Sequence, residues 1–339
     1  MTDRPLVSVV TPFYNTADFL RECIESVLAQ TYTAFEYLLV DNQSTDGSAA
    51  IAAEYAKKDS RVRVIRNAEF VGQVPNYNGA LRQVAPSARY IKIVQADDWI
   101  FPECLERMVA VGESHPSAGI ISSYRLKGRE VCGTGVEWPT ECLSGRTVGR
   151  LQLLDGVFLF GSPTTVLYRA DLLAKRDPFY SEDSFHEDTE LCYETLVEAD
   201  LGFVHQVLSY SRVGNTGELT TIETFSWVEL GAYLALRKFG PEFLSPDELE
   251  DRTRSVTAKY YNMLGENVLL GRERAFWDYH RRGLATIGEE IPSRWDLARH
   301  IARASVKAVV KPRWLWRERA RFRNGHRDPM SSAIAPGAG

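Results

Sequence analysis

The sequence has no apolar run approaching the roughly 20 residues needed to cross a bilayer. Its longest candidates, such as Val157 to Phe160, read as short buried strands. It also lacks a Gly-x-Gly-x-x-Gly loop after its first apolar stretch, which excludes the usual dinucleotide-binding turn. Gly133-Thr134-Gly135 falls in an irregular stretch and is no substitute. The five cysteines (Cys23, Cys104, Cys132, Cys142, Cys192) are odd in number and scattered, and no pair has zinc or redox spacing. They are expected to be reduced, small apolar side chains. No signal-peptide layout separates Met1 from the first strand, so a cytoplasmic location is expected. There is no internal repeat. Net positive charge is concentrated in one segment: Arg294 to Arg327 carries eleven Lys or Arg against Asp296 and Glu318, a balance of +9. With a net charge of −5 for the chain, the remainder holds −14. An acidic body of that kind excludes a nucleic-acid groove and leaves a basic, surface-seeking end.

What is present is an alternation of strand and helix patterns. Leu6 to Phe13 reads as a buried strand, followed by a helix with Phe19, Leu20, Cys23, Val27 and Leu28 at helical spacing. Strands are expected at Phe35 to Val40, Val62 to Ile65, Tyr90 to Val94 and Gly119 to Ser123. The intervening helices are expected at Ser48 to Lys57, Pro75 to Val84, and from Pro102 toward Glu113. Short links between alternating elements imply a mostly parallel sheet flanked by helices. Beyond a less regular stretch, Thr165 to Tyr168 and Phe203 to Ser209 read as strands, Asp188 to Ala199 as a helix, and everything from Phe225 as helical.

Acidic groups stand where the buried strands end, which is where open α/β sheets hold ligands. Tyr14, after Thr11-Pro12-Phe13, can pack a ring on a base or ribose, or can be core edge. Asp41 and Asn42 can accept an imide N–H or reach a ribose hydroxyl; alone, they equally make a turn and a cap. Asp97 and Asp98 are adjacent carboxylates that repel unless something positive sits there. A divalent cation with a substrate diphosphate answers that need, and a solvated turn is the plain alternative. Glu187 and Asp188 head a helix, where the dipole alone stabilises carboxylates.

Taken in order, Val7 to Asn15, Ser26 to Tyr32, Val40 to Ser48, Gln95-Ala96-Asp97-Asp98 and Glu187-Asp188 resemble the family 2 glycosyltransferases. The similarity runs from about Leu6 to Arg212. It implies a GT-A fold, with a nucleotide-binding α/β half merged with an acceptor-binding half. It implies that Thr11, Pro12 and Tyr14 line the nucleotide, that Asp41 or Asn42 meets the base, and that Asn78 lies close to the donor pocket. It further implies Asp97 near the ribose or sugar, Asp98 as ligand to Mg²⁺ or Mn²⁺, and Asp188 as catalytic base. Two positions depart from the family pattern. Asn42 stands where many members have a second Asp. No His occurs in Ser211-Arg212-Val213-Gly214-Asn215, where Arg212 is the candidate phosphate contact. Gly161 to Thr165 is expected to border the acceptor cleft by the same resemblance.

The expected layout is a GT-A domain over 1–220 (nucleotide half 1–123, acceptor half 124–220), a helical region over 221–292, a basic amphipathic tail over 293–328, and a disordered end over 329–339. The expected activity is inverting sugar transfer from a nucleotide-diphosphate donor, UDP- or dTDP-sugar favoured, to a hydroxyl of a glycan or lipid-linked acceptor in cell-surface polysaccharide synthesis. The rival reading is a catalytically inactive carbohydrate-binding or scaffold protein of the same fold. A sugar nucleotidyltransferase would require a glycine-rich, basic loop in place of Pro12 to Asn15. The tail mixes Trp295, Ile301, Val306, Val309 and Val310 with Arg299, Arg303 and Lys307, then Trp314, Leu315 and Trp316 among arginines. It either meets an anionic membrane surface, giving a peripheral location, or docks on the acidic body.

Overall fold

The computed structural model of the chain describes residues 4–184, 186–213, 225–293, 295–310 and 313. Strand β1 (Val7–Phe13) is buried at every position. A strand covered on both faces favours apolar side chains throughout rather than alternation, which is why it reads as one run. Strands β2 (Phe35–Asp41) and β4 (Tyr90–Ile93) flank it in parallel, and β3 (Val62–Arg66) continues beyond β2. Helices α1 (Ala17–Leu28), α2 (Ser48–Lys58) and α3 (Gln73–Leu81) lie between them in the chain; α1 buries Leu20, Cys23, Ile24 and Val27 against the sheet.

Pro12 shows how the sheet opens. The Val10 carbonyl accepts from Val94 N–H on the β4 side, and the Phe13 carbonyl accepts from Asn42 N–H on the β2 side. Backbone groups alternate along a strand, so Pro12 turns its donorless nitrogen toward β4. The last β1–β4 pairing is Val10 with Ile93. Proline therefore sits where the ladder has already ended, and the two strands part into a cleft.

The second half of the sheet is built on β6 (Ala118–Lys127) and β10 (Asp200–Ser211), which run parallel to each other. The short β9 (Leu167–Arg169) lies antiparallel between β4 and β6, and β5 (Trp99–Ile100) pairs antiparallel with β10. The order is β3-β2-β1-β4-β9-β6-β10-β5, with β7 (Glu130–Cys132) beside β6 and β8 (Cys142–Leu143) beside β10. Around it lie α4 (Cys104–Ser114), the short α5 (Gly145–Arg150) and α6 (Ala170–Leu173), and α7 (Glu187–Glu198).

Val157 to Phe160 is not the buried strand its composition suggests. A π-helical turn, Leu151–Asp155, ends at Gly156 with φ 71°, and the chain then runs irregularly. Side chains serve its backbone in place of a ladder: Leu159 N–H donates to Gln152 Oε1 (3.0 Å) and Ser122 Oγ donates to the Leu159 carbonyl (2.5 Å). Buried backbone needs partners, and strand pairing is only one source of them.

The chain divides into two compact units, residues up to Val213 with Glu242–Leu244, and Gly214–Pro241 with Ser245–Gly339. The second contains helix Pro246–Leu270, capped by reciprocal Ser245 and Glu248 bonds, and helices Arg274–Ala285 and Ala298–Val310. Tyr233 stacks on Tyr260 (4.8 Å), whose hydroxyl meets His280 Nδ1 (2.9 Å). Burial pushes His280 down to about 4, so it is a neutral core residue.

Within the expected basic tail, Ala298–Val310 docks one face on helix Pro246–Leu270. His300 and Ala304 are buried, His300 meets Asn262 (2.7 Å), and Lys307 pairs with Glu266 (2.5 Å). Trp295, Val306, Val309 and Val310 remain exposed. Trp314, Leu315, Trp316 and the expected disordered end over 329–339 lie outside the described residues. Among the described residues no helix is long and apolar enough to cross a membrane.

Candidate active site

Asp98 lies past the end of β4 and is only 4% exposed. Its Oδ2 accepts from the Thr164 hydroxyl at 2.7 Å and from Ser211 Oγ at 3.4 Å, and its Oδ1 accepts from Arg212 N–H at 3.0 Å. These donors come from the 163–165 turn and the end of β10, so the acid is gripped by elements over 60 residues away in sequence. Burial, then the adjacent Asp97, pushes Asp98 up to about 7 despite those bonds. Thr164 is itself held: its Oγ1 accepts from Gln95 N–H (3.1 Å), and Lys92 Nζ donates to the Thr164 carbonyl (2.7 Å) and the Val166 carbonyl (3.3 Å). Lys92 is fully buried in β4, and burial lowers its pKa.

Arg212 closes one side. Its Nε donates to the Asp97 carbonyl (3.1 Å), its Nη2 reaches Glu22, and its guanidinium lies 4.7 Å over the Phe19 ring. The guanidinium expected to meet phosphate is thus held by the Asp97 backbone and by Glu22.

Asp188 is the second residue of α7 and is half-buried. Desolvation raises its pKa, partly offset by the Thr189 N–H (2.6 Å) and hydroxyl (3.3 Å) donating to its Oδ1. Arg125, on β6, acts electrostatically on both Asp98 and Asp188, so one guanidinium lies within range of the two acids. Tyr77 in turn feels Asp97, Glu187 and Asp98, and burial raises its pKa. Glu187 is pushed up to about 7 by burial and then by Asp188. The loop after β4 and the head of α7 thus both lie within electrostatic range of Tyr77 and Arg125.

On the nucleotide side, Tyr14 (43% exposed) stands at the mouth of β1 beside Phe70 (56% exposed), ring centroids 4.8 Å apart. Asp41 is 1% exposed. Its Oδ1 accepts from Ser44 N–H (2.8 Å), while its Oδ2 has no hydrogen-bond partner and lies 3.5 Å from Arg66 Nε. Three residues expected on the pocket wall stand behind it. The Thr11 hydroxyl is buried against Tyr37 OH (3.0 Å) because residues alternate faces along β1. Pro12 is likewise buried. The Asn42 amide is committed to residue 71, donating to the Val71 carbonyl (2.8 Å) and accepting from Val71 N–H (3.1 Å). Asn78 is committed to the segment before α7: it donates to the Tyr180 carbonyl (2.9 Å) and Glu182 (3.2 Å) and accepts from Tyr180 N–H (2.8 Å). Its amide therefore positions that segment.

The sequence reading passed over Phe70, Lys92 and Arg125. An exposed Phe in a loop and a Lys in a strand carry no local signal; only their neighbours in space do. It also gave Thr164 no role toward Asp98. Among the described residues no three acids, histidines or cysteines form a metal cluster. The acid pair still suits a hard cation. Asp98 is a desolvated carboxylate driven toward protonation, and its oxygens retain lone pairs beyond the bonds they accept. Such a cation would take its remaining ligands from a diphosphate and water, as magnesium commonly does.

The sheet order and its flanking helices define an α/β fold of the GT-A type. Residues 8–176 match the family model described as Glycosyl transferase family 2, and the chain belongs to that family. An uncharacterized glycosyltransferase of Escherichia coli, YibD, is 35% identical over 211 residues, covering 56% of this chain and 57% of that protein. The putative teichuronic acid biosynthesis glycosyltransferase TuaG of Bacillus subtilis is 32% identical over 127 residues, 38% of this chain and 50% of that protein. The chain thus spans about half the length of these relatives. Among solved structures, Staphylococcus aureus TarS 1–349 in complex with UDP-GlcNAc superposes with TM-score 0.59 at 18% identity, covering 94% of this chain and 92% of that one. The mannosyltransferase PcManGT of Pyrobaculum calidifontis, in complex with GDP-Man and Mn²⁺, gives 0.55 at 16% identity, covering 96% and 86%. Both likenesses concern the fold.

Proposed function

We propose that the chain is an inverting glycosyltransferase that moves a sugar from a nucleoside-diphosphate donor to a hydroxyl of a glycan or lipid-linked acceptor, in the synthesis of a cell-surface polysaccharide. The observation that supports the reading is that Asp98, after β4, and Asp188, at the head of α7, are both desolvated acids that feel the charge of one arginine, Arg125. The TarS and TuaG likenesses, a complex with UDP-GlcNAc and a teichuronic acid biosynthesis glycosyltransferase by name, support the donor and the setting.

Asp98, with Asp97 beside it, would hold Mg²⁺ or Mn²⁺, and such an ion offsets the charge of a departing diphosphate. Arg212 contacts the phosphates from the other side. Asp188 takes the proton from the acceptor hydroxyl as its oxygen bonds to the anomeric carbon. The bond from that carbon to the phosphate oxygen breaks on the opposite face, and the electron pair leaves with the nucleoside diphosphate. Desolvation that raises Asp188 makes it a stronger base. Asp188→Asn should lower transfer by about 10²–10⁴-fold while leaving calorimetric binding of UDP and Mn²⁺ intact. Wild-type turnover by the variant removes Asp188 from the mechanism, and absence of any transfer by the wild type across UDP-, dTDP- and GDP-sugars favours the inactive scaffold.

The exposed Trp295, Val306, Val309 and Val310 support peripheral contact with an anionic membrane surface through the C-terminal segment.

A further inference from the structure

We propose that Lys92 is a positioning residue for the cation site: its buried amino group anchors the 162–166 turn, and that turn orients the Asp98 carboxylate. This rests on the reading of Asp98 as ligand to a divalent cation. Lys92 lies within β4 and has no exposed surface. Taking an ammonium group out of water is costly unless a carboxylate pairs with it. Among the described residues no acid does so. Nζ donates to the Thr164 carbonyl (2.7 Å) and the Val166 carbonyl (3.3 Å), and its remaining neighbour is Met108 Sδ of α4 at 3.6 Å. A methionine would fill the same space without an amine to desolvate. Breaches of ordinary burial of this kind gather where a protein has a task to perform.

The backbone shows what that task is. Strands β4 and β9 pair antiparallel as far as Lys92 with Leu167. Past that point side chains join β4 to the turn that leads into β9. Lys92 takes the carbonyls of residues 164 and 166, and Gln95 N–H donates to Thr164 Oγ1 (3.1 Å). The turn in turn holds the acid by two routes. The Thr164 hydroxyl donates to Asp98 Oδ2 (2.7 Å), and Ser162 Oγ lies 3.3 Å from Ser211 Oγ, which donates to the same oxygen (3.4 Å). Thr164 is therefore gripped by its carbonyl from Lys92 and grips Asp98 with its hydroxyl. Nζ makes no bond to Asp98 and acts on it through Thr164. The lysine belongs to the nucleotide half and the turn to the acceptor half, so this amine fastens the two halves together beneath the acid.

Calorimetry of the full chain with UDP, dTDP and GDP identifies the tightest nucleotide, which is then measured with and without Mn²⁺ beside its free nucleoside. Lys92→Met keeps an apolar stem and removes the donors. It should weaken Mn²⁺-supported nucleotide binding by about 10-fold or more, as losing a group that supports a metal ligand typically does, and leave the nucleoside unchanged. In metal-free protein, amide hydrogen exchange should quicken at Gln95 and Arg212, whose N–H groups donate to Thr164 Oγ1 and Asp98 Oδ1, and not along β1 and β2. Lys92→Gln retains two N–H donors on a shorter stem and should fall between; it carries the same comparison if Lys92→Met does not fold. A folded variant with wild-type Mn²⁺ dependence, or one that loses nucleoside and Mn²⁺-supported binding in equal measure, overturns the role of Lys92. Failure of the cation reading is distinct: the wild type then binds the nucleotide no better with Mn²⁺ than without it, or Asp98→Ala keeps the dependence.

Discussion

Replacing Thr164 by Val keeps the shape of a fully buried side chain and removes the hydroxyl that donates to Asp98 Oδ2 at 2.7 Å. A hydrogen bond to a charged group contributes about 1.5–3 kcal/mol, and each 1.36 kcal/mol is one unit of pKa. Arg212 N–H (3.0 Å) and Ser211 Oγ (3.4 Å) remain as donors, so the lower end applies. Asp98, already pushed up to about 7 by burial and by Asp97, should rise further by about one unit. Carbon-13 NMR titration of the Asp98 carboxyl in metal-free protein reads this directly. The pH at which Mn²⁺ begins to bind in the presence of UDP should move up with it, because proton and cation compete for the same oxygens. The variant also orphans Gln95 N–H, now 3.1 Å from Thr164 Oγ1, which should lower global stability by about 1–3 kcal/mol. A folded Thr164→Val protein whose Asp98 midpoint stays within a few tenths of the wild-type value refutes the electrostatic account of the site.

The same raised acids make the metal-free fold sensitive to pH. Asp98 and Glu187 each bind a proton more tightly folded than unfolded, so their contribution is fully present below about pH 4 and is lost as pH climbs through about 7. The difference in melting temperature between wild type and Asp98→Asn should therefore widen in the variant's favour from pH 5 to 7.5; a constant difference contradicts the shift. At the other end of the chain, flotation with anionic vesicles should be lost in a truncation ending near Pro292, and undiminished flotation dismisses the C-terminal segment as an anchor.

Much of the nucleotide half is legible because its chemistry is local. Val7 to Phe13 and Phe35 to Asp41 read as strands since both faces are covered, and Asp41, Asp97 and Asp98 follow directly from where such strands stop. The acceptor half is not, because its structure depends on distant partners. The two-residue β8 is defined by its pairing with Leu201 and Gly202, and Leu159 is satisfied by Gln152 and Ser122 without any strand. The same limit applies to side chains. Asn42 and Asn78 are singled out by sequence order, but only the structure shows that their amides serve loops at residues 71 and 180. Lys92 in Tyr-Ile-Lys-Ile looks like an outward-facing strand residue. The carbonyls of Thr164 and Val166, which allow its burial, come from over 70 residues later.

Asn78 has a bearing on chimeras. Its one amide makes three bonds to residues 180–182, a hundred positions downstream, so helix α3 fixes the segment that leads into α7. An engineer who grafts a relative's acceptor segment onto this chain must move position 78 along with it, or the transplanted segment arrives without its latch.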